Sequence, residues 1–346
     1  MMEIMNRPDS NTIKIFRAFF DGTPVSVHTI NTSRGEDDFR ETLLIGTETG
    51  VKAVIKLSDN DFTDPERIGM WQKTIEEYLA LGYYCPKIIC DKNGGFPIVS
   101  YKGHNCTVYA EEYSLFSPIE DRSDNAGSYD RAVYDRCIPD IWRMTAKIAS
   151  LHLDHTDIPS GYCLFDTFCP SDKTDEVLEN ALNWKQYAET LPCMFADQVQ
   201  RIWKLWTENR SKLESVYHEL PTSVFQADLN STNLLVDKDG RFVGVYDFNL
   251  CGKDVFLNYL MRENFDTDFE KEIGMICDML KVSREHYHFS EREKGSALMI
   301  YRCLKPLWYN KLIHLKELGS DQKAIGAFLD KTEHFLTQYI DFKTYM

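Results

Sequence analysis

The sequence predicts an α+β chain in two parts: a small β-rich N-terminal part with one main helix, and a larger helical C-terminal part carrying one hairpin. Three observations predict it. Residues 13–57 hold four apolar runs, IKIFRAFF, VSVHTI, FRETLLIGT and VKAVIKL, separated by the turn signals DGTP, NTSRGEDD and ETG. From residue 140 onward apolar residues recur mostly at helical spacing. The exception is 223–250, SVFQADLNSTNLLVDKDGRFVGVYDFNL, where short strands flank the hairpin signal Asp239-Gly240. A length of 346 residues suits two domains, here 1–113 and 114–346, with the polar stretch 114–131 as a mobile boundary.

Composition narrows the class. With 43% hydrophobic and 13% aromatic residues, the chain can bury a large core. A formal charge of −15 argues against a nucleic-acid partner, which would need a basic face, and suits a cationic small ligand. The ten cysteines form no CxxC pair and read as buried thiols of a reducing cytoplasm. No apolar run approaches the roughly 20 residues of a membrane span, and the N-terminus has no signal pattern. The expected location is therefore the cytoplasm, with no membrane partner.

Taken in order, the strands expected over 25–30 and 39–47 enclose the loop 31–38, which holds Ser33, Arg34 and Gly35. Locally this is an ordinary hairpin loop; its functional reading is a set of backbone N–H groups laid over phosphates. The strand ending AVIK places Lys56 after three apolar residues, at a buried strand end where its ammonium is a point charge for phosphate. Residues 64–81 predict a helix: Asp64 caps it, Pro65 opens it and Gly82 ends it. Its inward stripe is Ile68, Gln72, Ile75 and Leu79, so Gln72 is the polar member facing in, either a boundary residue or a partner for Lys56. CPKIIC and FPIVSY follow as short strands, then a longer one over 106–113.

Helices are expected from 140 through the SLH segment, over 174–184 and 196–220, and after the hairpin over 255–263, 268–280, 291–315 and 320–339. His152 and His155 are spaced i,i+3, which permits a metal, but a structural role is the commoner fate of such residues. The acidic residues Glu263, Asp266, Asp268 and Glu270 read as a solvated helix face or as a receptor for an amine.

Chemistry concentrates in 223–250. Asn233 opens the first hairpin strand and Asp247 closes the second, so the turn brings their oxygens together, as a hard cation such as Mg²⁺ requires. Asp228, five residues before Asn233, can orient a hydroxyl and accept its proton. Each residue alone is a turn former or strand end. Jointly, and with Lys56 upstream, they describe a phosphoryl-transfer site.

FQADLNSTNLLVDKDGRFVGVYDFN resembles the catalytic segment of the aminoglycoside phosphotransferase/choline kinase-like family, within the protein kinase-like fold. AVIK resembles the family's nucleotide-lysine strand, WQKTIEEYLALGYYCPKII the next helix and strand, and IASLHLDHTDIP the helix before the catalytic loop. The resemblance implies a bilobal kinase-like fold and transfer of the γ-phosphate of ATP or GTP to a hydroxyl of a small molecule. Asp228 would be the base, Asn233 and Asp247 the Mg²⁺ ligands and Lys56 the phosphate contact. Residues 110–114 would be the hinge that holds the base, with Glu111 and Tyr113 as nucleotide-binding residues alongside Ser33 and Gln72. Three positions depart from the pattern: Gln226 stands for the usual His, Phe248-Asn249 for aromatic-Gly, and Gln72 for the helix Glu, with Glu76 one turn on as a substitute. Two other readings follow from these departures and from the composition. One is a degenerate kinase-like binding protein. The other is a scaffold using Trp308, Tyr309, Phe328, Phe335 and Tyr339, which at helical spacing read first as core.

Overall fold

A computed structural model describes residues 6–346 apart from 36, 51, 122–127, 264, 265 and 267. The chain forms two compact units. One comprises Met1–Cys137, Cys169–Ser171 and Asp228–Cys251; the other comprises Ile138–Phe168, Asp172–Ala227 and Gly252–Met346. In chain order the elements begin with helix α1 (Ser10–Phe19), strands β1 (Pro24–Asn31), β2 (Phe39–Thr47) and β3 (Lys52–Asp59), helix α2 (Pro65–Ala80), and strands β4 (Ile88–Ile89), β5 (Ile98–Tyr101) and β6 (His104–Glu112). Short strands β7 (Ser117–Pro118), β8 (Glu120–Asp121) and β9 (Ser128–Tyr129) precede helices α3 (Arg131–Ser150), α4 (Glu176–Ala188) and α5 (Ala196–Tyr217). Strands β10 (Thr222–Phe225), β11 (Leu234–Val236), β12 (Phe242–Val245) and β13 (Gly252–Val255) come next, then helices α6 (Phe256–Arg262), α7 (Phe269–Ser283), α8 (Glu291–Leu304), α9 (Tyr309–Glu317) and α10 (Gln322–Thr337). The β-rich first part and helical second part are as the sequence predicts.

In the first unit an antiparallel sheet runs β1-β2-β3-β6-β4, with β5 paired to β6. Its core is Leu43, Ile45, Ile55, Leu57, Cys106 and Val108, the inward members of alternating strands. Against one side lies α1, and here the strand reading of IKIFRAFF is corrected. Asp9 caps the segment by accepting from the Thr12 N–H at 2.7 Å, and the buried residues Thr12, Ile15, Phe16 and Phe19 follow a spacing of 3–4. An i, i+3, i+4, i+7 stripe is a helix signal that the dense apolar run conceals. Helix α2 forms as expected: the Asp64 carboxylate accepts from the Glu66 and Arg67 amides at 2.8 and 3.0 Å, and Pro65 stands in the first turn. Gly82 follows at φ +86°, the left-handed conformation that ends a helix at little cost for glycine.

The hairpin β11–β12 belongs to this same unit, with Leu234 opposite Val245. It is tied to the chain after α2 by two backbone hydrogen bonds, Tyr84 N–H to the Val243 carbonyl at 2.8 Å and Val245 N–H to the Tyr84 carbonyl at 3.0 Å. Gly244 lies between them. A Cβ there would come within 1.8 Å of the Tyr84 carbonyl oxygen, so the approach requires glycine.

The second unit is helical, with β10 and β13 paired antiparallel. Trp206 and Asn209 of α5 donate to the carbonyls of Cys303 and Met299 on α8 at 3.0 and 2.9 Å, locking the two helices together. Arg262 lies between the rings of Tyr162 and Trp308, at 3.7 and 4.5 Å. Two expected helix bounds move. The helix expected from 140 starts at Arg131 and contains Pro139, whose missing N–H interrupts the pattern without ending the helix. The helix expected over 291–315 is two helices, α8 and α9, because Pro306 cannot continue the hydrogen-bond ladder. Trp308, Phe328 and Phe335 are core, whereas Tyr309 and Tyr339 are exposed. α3 ends at Ser150, so His152 and His155, expected on its surface, lie beyond it, and His152 packs on the Tyr287 ring at 5.9 Å. Asp268 caps α7 through the Lys271 N–H, and Glu270 pairs with Lys331, so these two acidic residues serve a helix end and its surface.

Gly244→Ala is expected to destabilise the protein by at least about 2 kcal/mol, since backbone must move. Gly274→Ala, at an exposed α7 position with nothing within 4 Å of the new methyl, should instead stabilise by about 0.5–1 kcal/mol. Thermal unfolding of both variants checks the pair.

Candidate active site

Sheet pairing brings the first two groups together. On the β3–β6 ladder Lys56 is opposite Tyr109, and Val54 is opposite Glu111. Alternation then puts Lys56, Tyr109 and Glu111 on one face. The Lys56 Nζ is 3.1 Å from Glu111 Oε1 and 3.3 Å from Asp247 Oδ1. Burial would lower the lysine's pKa, but the Asp247 and Glu111 charges outweigh it and hold the ammonium well above its ordinary value. Glu111 responds to the same burial in the other direction: loss of solvent raises its carboxyl, and the Lys56 charge opposes that rise.

The loop and hairpin supply the other groups. Asn233 Nδ2 donates to Asp228 Oδ2 at 2.9 Å and to the Asp228 carbonyl at 3.1 Å. Asn230 Nδ2 donates to Asp228 Oδ1 at 2.7 Å. The Tyr246 N–H donates to the Asn233 carbonyl at 3.1 Å, so the strand pairing continues to the residue before Asp247. Two residues flanking this chemistry, Ala227 at φ 65° and Asp247 at φ 61°, hold left-handed backbone without being glycine. Such conformations cost of order 1–3 kcal/mol and gather where geometry serves a site.

Burial, and then the Asp247 charge, push the Asp228 carboxyl up to about 6, against the pull of the Asn230 and Asn233 hydrogen bonds and the Arg34 charge. Two carboxylates therefore act on each other with too little positive charge between them. The remaining donors are hard oxygens, the Asp247 carboxylate and the Asn233 amide oxygen, and they fit Mg²⁺ in type and charge. Among the described residues no group of three His, Cys, Asp or Glu is arranged for a metal. A cation here would complete its shell with phosphate oxygens and water.

Other expected positions differ in detail. Gln72 does not meet Lys56: its Nε2 donates to the Ile88 carbonyl at 3.0 Å and reaches Cys90 Sγ at 3.5 Å. Glu76 is exposed and takes no part in the Lys56 ion pairs. Ser33 turns its hydrogen bonding into its own loop. Its N–H donates to Asn31 Oδ1 and its Oγ accepts from the Arg40 N–H, both at 2.9 Å. Glu111 lies inside the paired part of β6, opposite both Val54 and Ile88, whereas Tyr113 follows the strand, half-exposed, with its ring 4.4 Å from Lys52 Nζ. Gln226 is fully buried. Sequence reasoning missed the Glu111 ion pair and the Asn230 hydrogen bond. The available signal for the first was the acid Glu111, first of the pair Glu111-Glu112 that follows the apolar strand run CTVYA.

A strand lysine, a carboxylate held by two amides and a second carboxylate on the adjoining hairpin are thus brought together in the first unit. The sequence profile described as the phosphotransferase enzyme family matches residues 38–257, more than half the chain. The chain belongs to that family, and is a phosphotransferase of the small-molecule kinase class. Among solved structures it is similar to an amicoumacin kinase in complex with AMP-PNP, Ca²⁺ and its ligand, at 14% identity and TM-score 0.53, covering 98% of each chain. It is also similar to a microcompartment-associated aminopropanol kinase, at 14% identity and TM-score 0.55, covering 95% of each chain. At that identity both carry the fold, as expected from the kinase-like resemblance. No curated protein sequence matches the chain. Among the described residues no helix is long and apolar enough to cross a membrane.

The Asp228 carboxyl titrates above its ordinary value, at about 6 in the folded protein, so its contribution to stability is fully present below about pH 4 and is lost as pH rises through about 6. In the metal-free protein Asp247→Asn should lower the Asp228 pKa and Asn230→Ala should raise it. Carboxyl-carbon NMR titration reads both shifts, and an unmoved midpoint in both variants contradicts the assignment of causes.

Proposed function

We propose that the protein transfers the γ-phosphate of ATP or GTP to a hydroxyl of a small molecule. The observation that carries this reading is that Lys56, Asp247, Asn233 and Asp228 are joined in one unit by the contacts described above. Asp228 orients the acceptor hydroxyl and takes its proton at Oδ1 or Oδ2, helped by a pKa of about 6 that makes it a carboxylate at neutral pH yet still a competent base. Lys56 contacts the α/β-phosphates, having two neighbouring carboxylates to keep it charged. Asn233 and Asp247 would hold Mg²⁺, which supplies charge neutralisation for the phosphates and fixes their orientation. Backbone groups at Tyr113 and Ser114, just beyond the paired part of β6, are where the base of the nucleotide would be held.

The acceptor class follows from chemistry and likeness together. The net charge of −15 favours a cationic molecule. Aminopropanol, named for one of the similar structures, is an amino alcohol. Amino alcohols, aminosugars and amine-bearing antibiotics are therefore the substrates to try first. The ten free cysteines suit the cytoplasm as the compartment.

The test is nucleotide turnover against a panel of these acceptors, with and without Mg²⁺. Wild type should consume nucleotide only with an acceptor and Mg²⁺, Asp228→Ala should lose about 10²–10⁴ in kcat, Asp247→Ala should abolish turnover, and Gln226→His should remain active. Binding of nucleotide without turnover on any acceptor favours the degenerate reading instead.

A further inference from the structure

In the resemblance that the sequence shows, the carboxylate partner of the strand lysine comes from the following helix, at the position occupied here by Gln72. The structure gives both residues other work. Gln72 ties α2 to the sheet through the Ile88 carbonyl at 3.0 Å, and Glu76 one turn later faces solvent. The carboxylate beside Lys56 comes from β6. Glu111 stands diagonally across the ladder from Lys56, two residues from its direct partner Tyr109 and on the same face, a separation that long side chains span. The Lys56 and Glu111 side chains are only 17% and 11% exposed. A lone charge so placed is costly, whereas a paired one is held in register by its partner. Tyr109, 5.9 Å from the ammonium, closes the pair on one side and is itself braced by Trp71 of α2 at 5.8 Å between ring centroids.

We propose that Glu111 is the positioning residue for Lys56: a strand-borne carboxylate that aligns the ammonium for the nucleotide phosphates in place of a helix-borne one. The inference rests on the phosphoryl-transfer reading for its consequence, though not for the pairing itself. An ammonium has three N–H donors. Asp247 accepts from the Lys56 ammonium at 3.3 Å and Glu111 pairs with it at 3.1 Å, two carboxylates that hold it in place from the end of the hairpin and from β6. Because β3 and β6 are neighbours in one sheet, the alignment is fixed by backbone pairing and does not depend on where α2 sits.

Two measurements test it. Steady-state kinetics with varied nucleotide should show kcat/KM reduced about 10²-fold in Glu111→Gln. Glu111→Asp should recover part of the loss, and the acceptor KM should be unchanged. Unchanged kinetics in Glu111→Gln overturns the proposal. In the nucleotide-free protein, thermal unfolding of Glu111→Gln, Lys56→Met and the double variant should give non-additive shifts in Tm; additive shifts overturn it. If wild type turns over no acceptor, the kinase reading fails, and the unfolding cycle still decides whether Glu111 holds Lys56.

Discussion

The electrostatics of the first unit turn on one half-buried ion triad. Lys56, Glu111 and Asp247 come from β3, β6 and the end of the hairpin, and they meet within 3.1–3.3 Å of a single nitrogen. Two carboxylates around one ammonium leave a net negative charge in a partly desolvated site. The electrostatics of the neighbourhood follow from that imbalance. The lysine stays protonated, and the Asp247 charge adds to burial in raising Asp228 to about 6. A site with surplus negative charge and hard oxygen donors is suited to a divalent cation, and one with a buried ammonium beside it is suited to phosphate.

Backbone geometry makes the triad possible. The hairpin is fixed to the chain beyond α2 through Tyr84, at a distance that only Gly244 permits. The same strand then runs through Tyr246, bonded to Asn233, into the left-handed Asp247. Asp247 and Asn233 therefore emerge from neighbouring strand ends whose spacing is set by main-chain hydrogen bonds. Side-chain amides of Asn230 and Asn233 complete the arrangement by fixing the two oxygens of Asp228. Strain at Asp247 is tolerated because the strand pairing that runs through Tyr246 over-determines its conformation.

Much of this was legible in the sequence, for physical reasons that can be named. Asp64, Pro65 and Gly82 each carry a local conformational preference, so α2 could be bounded to within a residue or so. Asp239-Gly240 marks a turn, and with it came the pairing that joins Asn233 to the Asp247 end of the hairpin. What was hidden depends on partners remote in sequence. IKIFRAFF is apolar enough to read as a strand, and its helical stripe emerges only once the buried residues Thr12, Ile15, Phe16 and Phe19 are distinguished from the exposed ones. Pro139 and Pro306 look alike in sequence, yet one sits inside a helix and the other separates two, because tertiary packing decides whether a kinked helix resumes. The Lys56–Glu111 pair follows from strand register across 55 residues of chain, which no local pattern encodes.

This constellation should bind a nucleotide through its phosphates together with Mg²⁺. The most direct measurement is calorimetric titration of the wild-type protein with a non-hydrolysable ATP or GTP analogue, with Mg²⁺ present and with it chelated, alongside Lys56→Met. Saturable binding at one site, weakening sharply without Mg²⁺ and in the variant, is expected. Absence of binding to either analogue, or binding indifferent to both Mg²⁺ and Lys56, would contradict it.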